Sequence, residues 1–339
     1  MLTGDYLPSH GIRGFTDSLA DDQWTILDAF KHAGLSDSAG NFNNEIYGNL
    51  LGKYSSVSLA EIQEPFGWFM RDAGGHAPYD EFDETLQTQE SVSSYLKRHA
   101  GDDERMRRDY EAGVQSSVER FERFVLNPLE ERGIREETLI VFLSDHGQML
   151  GEHGHVGESY PPCPEIVYVP TTFIHPSLKP REAGAAFGHV DLPATIAGLV
   201  DDLETPETHG RDVHSRTAGP SKRFSFYDRP YPSPLGEFSY TIESVWDDGG
   251  GHAFLDSSFW DKLKLLGGVL ALIPAGKQLR RSRSLRGLKL LFESPQTWGS
   301  PGFTLDEAAE LLEEFELADG QSLDMDTETR ENLEDLGYL

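Results

Sequence analysis

Apolar residues recur at spacings of three and four from Met106 through Tyr110, Val114, Val118, Phe121, Val125 and Leu129, which predicts one long amphipathic helix closed by Gly133. Residues 139–143 follow as an unbroken apolar run rich in strand-forming types, and they predict a strand buried on both faces of a parallel sheet. Residues 167–174 read as the next strand. Upstream, residues 65–70 predict a second buried strand, and residues 24–33 a short helix with Leu27 and Phe30 inward and Gly34 as its stop. Residues 36–49, rich in Ser, Asn, Asp and Gly, read as a loop. Residues 81–103 read as a polar surface excursion.

Beyond Gly210 the pattern changes. Pro230, Pro232 and Pro234 crowd one span, and residues 224–227 and 238–242 are short aromatic and β-branched strand segments. The expected boundary is near 215, giving a domain at 1–215 and a C-terminal subdomain at 216–339. Residues 263–274 are apolar but fall short of the roughly 20 residues a membrane span needs, and Lys277, Arg280, Arg281, Arg283, Arg286 and Lys289 follow them. Such a basic segment over 263–289 can lie weakly on an anionic membrane surface or pack on an acidic domain. Residues 305–317 and 331–336 predict acidic terminal helices. With no signal peptide pattern, the expected location is cytoplasmic.

Composition narrows the function. The chain of 339 residues holds 58 Asp plus Glu against 29 Lys plus Arg, a net charge of −29. That sign excludes the phosphate contacts of a nucleic-acid binder. The acidic excess, with Arg outnumbering Lys, predicts a halophilic surface whose carboxylates repel one another in dilute buffer. A melting midpoint that rises along a potassium chloride series to molar salt is the expected result, and a midpoint that stays level contradicts it. Cys163 is the only cysteine, so no intrachain disulfide forms. Between Pro162 and Pro164 it reads as an inert filler.

Asp145 and His146 stand at the carboxyl end of the 139–143 strand and precede Gly147. In open α/β sheets that edge is where ligands sit, and an adjacent carboxylate and imidazole can turn towards one divalent cation. Gly151-Glu152-His153-Gly154-His155 places two more imidazoles within reach of the same edge. Residues 71–80 end the second strand with His76 held between glycines and Pro78.

Ser144-Asp145-His146-Gly147 continuing to Leu150-Gly151-Glu152-His153-Gly154 resembles the sulfatase family of the alkaline-phosphatase superfamily, as do His76-Ala77-Pro78-Tyr79 and His189-Val190-Asp191-Leu192. The resemblance covers most of residues 1–215. It implies an α/β, alkaline-phosphatase/sulfatase-like sandwich with a mainly parallel sheet and a small C-terminal α+β subdomain. The implied activity is metal-dependent hydrolysis of a sulfate monoester, on a small molecule or a saccharide. Phosphodiester or phosphonate-ester hydrolysis, or a non-catalytic remnant of the fold, are the alternatives. Asp145 and His146 match the metal ligands, for calcium above Mg2+, Mn2+ or Zn2+. His76 is matched to a group that binds the ester or protonates its leaving oxygen, and His155 and Glu158 compete for a further substrate contact. Glu165 matches a structural glutamate, and Asp191 reads as an N-cap. Leu2-Thr3-Gly4 with Pro8-Ser9-His10-Gly11 is similar to the tract that follows the family's nucleophile. The resemblance therefore implies a nucleophile segment and a first strand upstream of Met1, and gives that role to neither Ser9 nor Cys163.

Overall fold

The computed structural model describes residues 1–14, 17–20, 22–38, 57–72, 74–79, 90–158, 162–182, 187–214, 222–231, 238–271, 274–315 and 321–322. The helix expected at 331–336 and most of the loop expected at 36–49 lie outside them. The strands are β1 (Asp17–Ser18), β2 (Ser36–Ser38), β3 (Phe66–Trp68), β4 (Ile140–Leu143), β5 (Met149–Leu150), β6 (Val156–Gly157), β7 (Thr171–Ile174), β8 (Arg223–Tyr231), β9 (Phe238–Asp247), β10 (Gly250–Asp256), β11 (Gln296–Gly299) and β12 (Gln321–Ser322). With helices between them, the class is α/β.

The long helix forms as its periodicity requires. It runs over Asp103–Phe121, passes through a π-helical turn at Glu122–Leu126 and ends at Glu131. Asp102 caps it by accepting from the Arg105 amide at 3.2 Å, and Gly133 leaves it with φ of 71°. Met106 and Leu129 are fully buried, but Val114 and Val118 in the same stripe are exposed. They face a cavity of about 1260 Å³ that β3 and β4 also line. The polar segment before this helix holds a second one, Val92–His99, whose Tyr95 and Leu96 are buried.

β2 and β3 pair in parallel, in the register Ser36↔Phe66. β4 pairs antiparallel with β7, Ile140 opposite Ile174. β4 is not fully covered as its apolar run implied: Ile140 is buried, whereas Phe142, two residues on and on the same face, is 37 % exposed. Among the described residues no strand occupies the other edge of β4, and that edge borders the cavity.

The C-terminal sheet is antiparallel throughout, in the order β11-β10-β9-β8. Val245 and Trp246 are buried on its opposite faces, Val245 against Phe303 and Ala308, Trp246 against Met149, Cys163 and Trp298. The basic segment forms helices Pro274–Ser282 and Leu285–Leu290. Lys277 donates to the carbonyl of Lys97, Arg281 to that of Ala100, and the Gln278 amide to Asp103 at 2.7 Å. This segment therefore packs on helices Val92–His99 and Asp103–Phe121. Among the described residues no helix is long and apolar enough to cross a membrane.

Asp191 differs from its N-cap reading. It begins helix Leu192–Leu199 but makes no side-chain cap. Its carboxylate is fully buried and accepts from Arg223 Nε at 2.8 Å and Nη2 at 2.6 Å, from the Gly188 amide at 2.8 Å and from the Arg211 amide at 3.0 Å. The pair ties β8 to the start of helix Leu192–Leu199.

Candidate functional site

The chain leaves β4 into a turn that is fixed on both sides. The Ser144 amide donates to the carbonyl of Pro170 at 3.1 Å, and the Gly147 amide to that of Ile166 at 2.8 Å. Any side chain at Gly147 would collide with the Glu165 carbonyl, since a Cβ there lies 1.9 Å from that oxygen. Glycine is therefore required by close approach. The Ser144 hydroxyl donates to His146 O at 2.7 Å, and His189 Nε2 donates to Ser144 O at 2.9 Å.

These bonds present Asp145 and His146 to the cavity. The carbonyl of Gly147 can only accept, so its 3.0 Å contact assigns the proton to His146 Nδ1 and leaves the lone pair on Nε2. That nitrogen lies 3.9 Å from Asp145 Oδ2. The Asp145 carboxylate is half exposed, with Arg71 Nε 4.0 Å away. Burial alone would raise its pKa, yet the charges of His146 and Arg71 and the amide bond from His146 hold it below the usual range. An ionised carboxylate and an imidazole lone pair at this separation fit two positions around one divalent cation, with water and ligand needed to complete the shell.

His76 reaches the same cavity from the turn after β3. Arg120 holds that turn by a bidentate pair to Asp72, at 2.6 and 2.9 Å, and Asp72 in turn accepts from the Gly74 amide at 2.7 Å. His76 is 8 % exposed, and its Nδ1 donates to Ala77 O at 2.7 Å. Burial foremost lowers its pKa, with Arg71 and His146 adding to the effect and Glu158 opposing it. The neutral ring thus turns an acceptor nitrogen, rather than a second N–H, to its other side. The expected donation to an anionic oxygen needs the protonated form.

Glu158 is half-buried outside the cavity lining, and its charge acts on His76 and Tyr79. The Tyr79 hydroxyl accepts from Gln148 at 2.7 Å. His155 is not brought to the site. It is 1 % exposed and its Nε2 donates to Gly287 O at 3.0 Å, so it joins the loop to helix Leu285–Leu290. The loop turns it away because Gly151, His153 and Gly154 all have positive φ, at 117°, 55° and 83°. Ser9 is exposed outside the cavity lining, and Cys163 is fully buried outside it too. Burial, then Glu165, raises the Cys163 thiol pKa and keeps it protonated.

His189 is the residue that local pattern missed. It sits in a helix-start motif, and only the folded chain brings its ring to Ser144 and its neighbourhood to the charges of Asp145 and His146. Burial lowers its pKa, so it serves as a neutral donor that orients the turn.

The model of the sulfatase family matches residues 56–202. The low-salt glycan biosynthesis sulfotransferase Agl7 of Haloferax volcanii is 28 % identical over 368 aligned positions, covering all of this chain and 86 % of that protein. The uncharacterized sulfatase YidJ of Escherichia coli K12 is 32 % identical over 73 residues, 22 % of this chain and 14 % of that protein. Among solved structures, a 2-O GAG sulfatase superposes with a TM-score of 0.55 at 14 % identity, over 89 % of this chain and 86 % of that one.

Proposed function

From a chain whose residues 56–202 are a sulfatase-family segment, we propose an enzyme that cleaves a sulfate monoester, on a saccharide by preference, in the cavity at the end of β4. The observation that carries this reading is the convergence of Asp145, His146, Arg71 and His76 on one cavity, with Asp145 held ionised. Asp145 and His146 would hold one divalent cation. The chemistry such a cation supplies is withdrawal of charge from the sulfuryl oxygens.

The chain's own groups do the rest. Arg71 offers a fixed positive charge beside Asp145, suited to a sulfuryl oxygen. His76, neutral at pH 7 because it is buried, takes up a proton at the nitrogen not bonded to Ala77 and can then return it to the leaving oxygen. His189 and Ser144 keep the turn in place.

A second reading shares this site. The relative that aligns along the whole chain is named a sulfotransferase, and transfer differs from hydrolysis only in taking a sugar hydroxyl instead of water. Assays pairing an aryl sulfate with the matching phosphate, each with and without a saccharide acceptor, separate the readings. Sulfate cleavage to phenol and free sulfate supports hydrolysis. Sulfate recovered on the acceptor supports transfer, and faster phosphate cleavage overturns both.

Glu158 provides a further check. Its carboxylate favours the charged form of His76, so Glu158→Gln is expected to lower the His76 pKa still further below the usual value of about 6.5. The ring-proton shifts of His76 across a pH series measure it. An unchanged or higher pKa in the variant contradicts the placement of Glu158.

A further inference from the structure

Behind the 145–147 turn, three side chains from two elements converge, of which Glu165 also lines the cavity. His153 lies in the 3-10 turn Glu152–Gly154, Cys163 directly precedes helix Pro164–Val167, and Glu165 is in the first turn of that helix. One imidazole nitrogen, the thiol sulfur and one carboxylate oxygen all lie within 4.8 Å of one another. Cys163 is fully buried, and the His153 ring packs on Trp298 with centroids 5.0 Å apart. His153 Nε2 and Glu165 Oε2 are buried without a hydrogen-bond partner among the described residues. Buried polar atoms without partners are rare, and a missing ion is one of the few physical reasons for them.

The separation of His153 from Glu165 favours an ion over a direct contact between these two. His153 Nε2 is 3.4 Å from Glu165 Oε1, too long for a charge-assisted hydrogen bond, which closes to about 2.7–2.9 Å. Two donors each about 2.1 Å from a tetrahedral centre stand about 3.4 Å apart. The N···O pair already spans that edge, and only the sulfur has to close in. His153 also adopts φ of 55°, a backbone conformation uncommon for a non-glycine residue, and it is this turn that aims its ring at Cys163 and Glu165.

The geometry points to a second metal site, in which His153, Cys163 and Glu165 bind one zinc-type divalent cation and leave a fourth position to water. The donor set decides the class of ion. A thiolate with an imidazole and a carboxylate suits a borderline-soft tetrahedral cation, whereas calcium takes about six to eight oxygens. On binding, the Cys163 thiol proton is released to solvent and the sulfur–metal bond forms in its place. The site braces the hydrolytic turn, because Ile166, next to Glu165, accepts the Gly147 amide. It stands independently of which ester the cavity takes.

Cobalt reports the site directly. Since Cys163 is the only cysteine, a sulfur-to-cobalt charge-transfer band in the near ultraviolet can arise from no other residue. The metal-free full chain is titrated with Co2+, then with Zn2+, and its unfolding midpoint is measured with each. We expect the band to saturate at one equivalent and to vanish as Zn2+ displaces Co2+. It is absent from Cys163→Ser, while His153→Ala and Glu165→Gln each weaken binding at least about tenfold. Zn2+ raises the wild-type unfolding midpoint. No band in the wild-type chain overturns the site, and so does a band that His153→Ala and Glu165→Gln leave unchanged, since that is binding by the thiol alone. The wild-type titration decides even if a variant does not fold.

Discussion

Asp191→Ala is expected to destabilise the protein by about 4 kcal/mol, within the range of 3–5 kcal/mol for breaking a buried ion pair. The carboxylate is fully buried and Arg223 nearly so. Its removal leaves a buried guanidinium without its acceptor, and also strips the Gly188 and Arg211 amides of theirs. Each orphaned amide alone costs about 1–3 kcal/mol, and the losses are not additive. Set against a total stability of about 5–15 kcal/mol, the change is large. Gly188 is part of the same arrangement, since a Cβ there would lie 2.6 Å from Arg223 Cδ. Urea midpoints measure the effect. Asp191→Asn with Arg223→Met together should recover part of the loss, because no charge is then buried alone. A drop below about 1 kcal/mol for Asp191→Ala, the size of a surface pair, contradicts the role given to this network.

Much of the fold around the cavity was legible because its signals are local. The three-and-four spacing from Met106 to Leu129, with Gly133 after it, specifies a helix whatever surrounds it. The apolar run before Ser144 specifies a strand with its chemistry at one end, and Asp145, His146 and His76 do line one cavity. What failed depended on partners distant in sequence. An apolar run does not say what covers each face, and Phe142 is exposed where both faces were expected to be covered. Asp191 looked like a cap because caps are read over three or four residues, while Arg223 is 32 positions away. His155 was assigned by spacing alone, but three positive φ angles reverse the loop and send its ring to Gly287.

The hydrolytic site stands or falls with Asp145. Asp145→Asn keeps the shape of the side chain and its bond from the His146 amide, but removes the charge beside Arg71 and His146. A cation held there would keep the imidazole and lose its anionic ligand, so sulfate-ester cleavage is expected to fall by at least about 10²-fold, or about 2.7 kcal/mol of transition-state stabilisation. Folding should survive, because the carboxylate is half exposed and its amide bond is kept. The most direct measurement is therefore the release of phenol from an aryl sulfate in molar potassium chloride, across titrations with Ca2+, Mn2+ and Zn2+ in turn, for the wild-type protein and for Asp145→Asn. The expected result is turnover that saturates with one of these divalent cations and is lost in the variant while its circular dichroism is unchanged. Turnover that needs no divalent cation, or that Asp145→Asn leaves intact, would contradict the site described here.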